Sequence, residues 1–101
     1  MTVLEATAIV VESIKDLNLG RSAKDRIEPA VDTVLFGPKG TLDSLGLVEL
    51  IVTIEERVQK AFGVSVSLAS DRALSQAHSP FRSVQTLGEF LSRLTEDGNG
   101  Q

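Results

Sequence analysis

Leu42-Asp43-Ser44-Leu45-Gly46-Leu47-Val48-Glu49-Leu50 is the stretch on which the fold of this chain turns. From it onward Leu47, Leu50, Ile51, Ile54, Val58 and Ala61 recur at helical spacing and make one apolar stripe. The spacing predicts a helix that starts at Asp43 or Ser44, runs to about Phe62 and stops at Gly63. Leu45, Val48 and Val52 form a second, flanking stripe. One helix in a small bundle seldom buries two stripes. The spare strip, edged by Glu49, Glu55 and Glu56, is therefore a candidate partner surface. Ser44 stands at the mouth of this helix and has two readings. It can be the N-cap, its oxygen accepting an orphan backbone N–H. Alternatively Asp43 takes the cap, and Ser44 holds its hydroxyl out at the positive end of the helix dipole. A phosphodiester is comfortable there.

Working outward, a first helix is expected from Thr2 to Leu17, with Leu4, Ala8, Val11 and Ile14 or Lys15 along one face. Gly20 follows where a helix commonly stops. Residues 21–41 read as a long loop punctuated by Pro29, Gly37, Pro38 and Gly40, with Val34, Leu35 and Phe36 as its anchors to the core. Val64-Ser65-Val66-Ser67-Leu68 alternates like a strand but has nothing to pair with, and reads as an extended connector. A short helix follows from Ser70 to Gln76, capped by Ser70 or Asp71. A turn over His78-Ser79-Pro80-Phe81-Arg82 then points Phe81 inward. The last helix is expected from Val84 to Leu94, with Val84, Leu87, Leu91 and Leu94 on one face. Residues 1–94 thus form one domain, and the polar, Gly-rich 95–101 a flexible tail.

Composition limits what such a chain can do. With 101 residues, 42% of them hydrophobic and only 4% aromatic, the core is built from Leu, Ile, Val and Ala. That palette suits an all-α fold, and a chain this short does not enclose a deep substrate pocket. The absence of cysteine rules out disulfides and thiolate metal sites. No basic leader precedes an apolar run at the start, and no stretch reaches the ~18 apolar residues of a membrane span. A cytoplasmic protein with no membrane insertion is expected. The net charge of −4 comes with scattered Lys and Arg, so nucleic acid is not an expected partner.

No histidine stands near Ser44 to serve as its base. His78 is the only histidine and lies in a separate turn, and the Gly-x-Ser-x-Gly pattern is absent. Ser44 reads as the substrate of another enzyme, and the chain as a non-enzyme without catalytic residues. Gly37-Pro38-Lys39-Gly40-Thr41 lacks phosphate-loop spacing. His78 has no second ligand in motif spacing, so no metal is expected. Glu55 and Glu56 are adjacent and diverge on a helix, which makes an edge and not a catalytic pair.

Asp43-Ser44-Leu45 with Val48-Glu49-Leu50 and Ile54-Glu55-Glu56 resembles the signature of the acyl carrier protein family. Leu35-Phe36-Gly37-Pro38-Lys39-Gly40-Thr41-Leu42 resembles the loop leading into that site, and the likeness covers nearly the whole chain. The resemblance implies a small four-helix bundle with a long loop between its first two helices. It implies 4'-phosphopantetheine on Ser44, flanked by Asp43 and Leu45 and delivered from coenzyme A by a phosphopantetheinyl transferase. The arm would carry acyl groups as thioesters. By the same likeness Val48, Glu49, Val52, Glu55 and Glu56 meet partner enzymes, namely acyl-ACP synthetases or acyltransferases and ketosynthase-type enzymes of a fatty acid, polyketide or related pathway. An acyl chain would be lined by Phe36, Leu50, Ile54 and Leu91, and the carrier would work as a monomer. Gly46 replaces a residue that is acidic or bulkier in many members, and Arg57 and Lys60 add positive charge. The region from Val58 to Arg82 also looks longer than in the carriers of primary fatty acid synthesis, and these departures point to a specialised carrier. Two alternatives stay open: an aminoacyl or peptidyl carrier, and an unmodified helical adaptor that binds through the Val48–Val52 strip.

Overall fold

A computed structural model describes residues 1–36, 40, 42–68 and 81–99, apart from the side chains of Ser44 and of 96–99. Among the described residues the fold is all-helical, with three α-helices and no strand beyond an isolated bridge between Val34 and Ser83. Helix α1 spans Val3–Asn18, a 3-10 turn Ala23–Asp25, helix α2 Ser44–Phe62 and helix α3 Val84–Asn99. The expected Ser70–Gln76 helix and His78-Ser79-Pro80 lie outside the described residues.

Helix α1 begins in a capping box. Glu5 N donates to Thr2 Oγ1 at 3.1 Å, and Thr2 N donates to Glu5 Oε1 at 2.8 Å, so two backbone donors are satisfied reciprocally. The Thr2 backbone N–H holds the Glu5 carboxyl below the usual carboxylate range. Its buried face is Ala6, Val10, Ser13 and Ile14, not the expected Leu4–Ala8–Val11 stripe; Leu4 is 81% exposed. Two features shifted the register. Ile9-Val10-Val11 is apolar on more than one face, and a serine occupies a core position. Ser13 is tolerated there because its hydroxyl donates to the Ile9 carbonyl at 2.8 Å. Gly20 is not the stop either: the C-cap is Leu19 in right-handed backbone, its N–H reaching the Asp16 carbonyl at 3.2 Å.

Helix α2 has the predicted span. Gly63 ends it in the left-handed region, φ 70°, with its N–H on the Gln59 carbonyl at 2.9 Å. Leu47, Leu50, Ile51, Ile54 and Val58 are buried, while Ala61 is exposed. Helix α3 runs five residues beyond the expected end at Leu94. Thr95, assigned from its polarity to the tail, is buried. Its hydroxyl donates to the Ser92 carbonyl at 2.9 Å, so it does not interrupt the helix.

Helix α1 packs on both α2 and α3, most extensively on α3. Gly88 permits that approach, since a Cβ there would lie 3.1 Å from Thr7 Cα. The core joins Ala6, Val10 and Ile14 to Leu50, Ile54 and Val58 and to Val84, Leu87 and Leu91. Ile27, Leu35, Leu42, Leu68 and Phe81 fill in from the connections. Phe81 is edge-on to Phe90, ring centroids 6.1 Å apart.

The long loop is more structured than its composition suggests. Asn18 grips Ile27 through two 2.8 Å bonds, Nδ2 donating to its carbonyl and Oδ1 accepting its N–H. Leu35 is fully buried and Phe36 partly so, but Val34 is 37% exposed and is fixed through its backbone. The Thr33 and Val31 carbonyls accept from Val84 N and Gln85 N, at 3.1 and 3.0 Å, and satisfy orphan donors at the start of α3. The connector has the expected alternation: Val64 and Val66 are half-buried, Leu68 buried, Ser65 and Ser67 exposed.

Candidate functional site

Asp43 and Ser44 mark where the loop turns into α2. Asp43 is in extended backbone, φ −87° and ψ −175°, and its Oδ1 accepts the Gly46 N–H at 2.8 Å. Its carbonyl accepts the Leu47 N–H at 2.9 Å. Asp43 is therefore the N-cap, and the reading of Ser44 as the cap is overturned. An aspartate wins because its carboxylate gains both the hydrogen bond and the dipole. Ser44 is the first residue inside the helix; the orientation of its hydroxyl lies outside the described residues.

Helical register places position 44 one turn before Val48, about two before Ile51 and Val52, and about three before Glu55. Along this side Leu45, Val48 and Val52 are 70%, 53% and 46% exposed, so the second stripe is uncovered among the described residues. Glu49 and Glu56 are exposed beside it. Glu55 is half-buried and partly committed internally, its Oε2 accepting the Leu68 N–H at 2.9 Å.

Gly46 is shaped by a contact that no sequence pattern announced. A Cβ at this position would lie 2.9 Å from Arg21 Nη2, 3.0 Å from Leu42 Cδ2 and 3.2 Å from Asp43 Oδ1. Arg21 arrives from the loop after α1, held by Nη1 on the Asp25 carbonyl at 3.1 Å. Asn18 and Ile27 set the course of that loop. The only available signal was the glycine itself, in a first turn where a stronger helix former is normal.

Leu50, Ile54 and Leu91 are fully buried in the core, and Phe36 is partly buried. None of the four lines the open groove of about 480 Å³ between α1 and α2. That groove is bounded by Ala8, Ile9, Glu12 and Asp16 on one wall and by Thr53, Glu56, Arg57, Lys60 and Ala61 on the other. Arg57 spans the two helices, with both Nε, at 3.1 Å, and Nη2 donating to Asp16 Oδ2. This pair is over a third exposed on both sides and contributes about 0–1 kcal/mol. Lys15 pairs with Glu12 at 3.2 Å along α1. Thr53 follows Ser44 by nine residues, about two and a half turns, so the groove opens away from Ser44, with Glu56 shared between its wall and the edge of the strip.

Among the described residues no three His, Cys, Asp or Glu side chains cluster to hold a metal ion. No helix among them is long and apolar enough to cross a membrane. Lys39, Thr41 and His78 lie outside the described residues. The arrangement supplies a serine at a helix N-terminus whose capping is done by its neighbour, followed by an exposed apolar strip with an acidic edge. Comparisons with protein-family models, with curated proteins and with solved structures return no match.

Proposed function

We propose that this chain is a specialised acyl carrier, modified on Ser44 with 4'-phosphopantetheine. The observation that carries the reading is the cap: the Asp43 carboxylate holds the Gly46 N–H, so α2 does not need the Ser44 hydroxyl. A phosphodiester on Ser44 would also meet the positive end of the α2 dipole. When bound, the group supplies a terminal thiol that holds an acyl chain as a thioester. The chain's own residues place and present it. Asp43 fixes the start of the helix, Leu45, Val48 and Val52 offer apolar contact, and Glu49 and Glu56 favour basic partners. In this reading the fold is a four-helix bundle of the acyl-carrier type. The carrier is a cytoplasmic monomer that meets its transferase and its acyl-handling enzymes in turn.

Acyl shelter among Phe36, Leu50, Ile54 and Leu91 requires packed side chains to move. Each buried methylene gains about 0.8 kcal/mol. Overpacking a filled core costs about 1–3 kcal/mol. A chain of only a few methylenes therefore gains little from entering. Longer saturated cargo is expected to perturb the NMR shifts of Leu50, Ile54 and Leu91, and unchanged shifts would remove the internal shelter from this reading.

The exposed Leu45–Val52 strip also favours a second reading, an unmodified adaptor. Intact mass separates the two after incubation with coenzyme A and a broad-specificity phosphopantetheinyl transferase. A gain of one phosphopantetheine, lost in Ser44→Ala, supports the carrier. No gain on folded protein with several transferases supports the adaptor.

A further inference from the structure

We draw no further inference here: the strongest candidate, the open groove of about 480 Å³ between α1 and α2 with Glu56 and Lys60 on its wall, carries nothing because nothing in the structure shows what covers it.

Discussion

Asp43 and Ser44 are adjacent and both suited to a cap, yet the structure gives the task to one of them. The consequence is a separation of stability from modification. Asp43→Ala leaves the Gly46 N–H without its 2.8 Å partner and is expected to lower the unfolding free energy by about 1 kcal/mol in urea denaturation. Ser44→Ala is expected to stay within about 0.5 kcal/mol of the parent chain, because it removes no cap. If the two costs were reversed, Ser44 would be the cap after all. At the other end of the molecule Glu5 offers a pH test. Its folded pKa is lowered, so its contribution is fully present above the unfolded pKa and is lost as pH falls through the folded value. Glu5→Gln is therefore expected to be less stable than the parent near neutral pH. The difference should shrink below the ordinary carboxylate range, as followed by thermal unfolding across pH.

At the scale of the elements, the span of α2 was legible because several signals agree on its limits. An aspartate stands before it, an uninterrupted stripe runs along it, and a glycine adopts the left-handed turn after it. Helix α1 was legible in extent but not in face. A buried serine and an apolar run broader than one face left its register open, and the choice fell to tertiary contact with α3. The contact in question is Thr7 against Gly88, distant in sequence and silent in periodicity. The end of α3 was missed for a related reason, since Thr95 looks like tail until its hydroxyl is seen bonded within the helix. At the candidate site the serine at the helix start and the exposed strip were readable, whereas the choice of cap between Asp43 and Ser44 came only from the folded geometry. Arg21 was not, because only the folded loop brings it to Gly46. The Thr7–Gly88 approach has a direct test. Gly88→Ala would raise helix propensity in isolation, yet its methyl would press on Thr7 at 3.1–3.2 Å from Cα and Cβ. The crowding is expected to win, with a net loss of about 1–3 kcal/mol in chemical denaturation. A stabilised variant would mean that α1 and α3 are further apart than described.

For the molecule as a whole, α2 faces two ways, and its two stripes should answer to different measurements. Leu50 has no exposed surface and belongs to the core shared by all three helices, whereas Val48 is 53% exposed and lies outside that core. Leu50→Ala is expected to cost about 2–5 kcal/mol, the transfer term plus the cavity it leaves. A chain of this size has a total stability of only about 5–15 kcal/mol, so that one substitution brings it close to unfolding under mild denaturant. Val48→Asp removes no member of the core and is expected to unfold within about 0.5 kcal/mol of the parent chain. It does place a charge in the middle of the apolar strip beside Ser44. If that strip is where the transferase docks, the initial rate of phosphopantetheine addition should fall well below the parent's, while the final mass on Ser44 remains the same. Time-resolved intact mass reads both quantities in one experiment. An unchanged rate in Val48→Asp, with addition still dependent on Ser44, would keep the carrier and move the docking surface off this strip. A slowed rate accompanied by a large loss of stability would place Val48 in the core and contradict the exposure on which the strip rests.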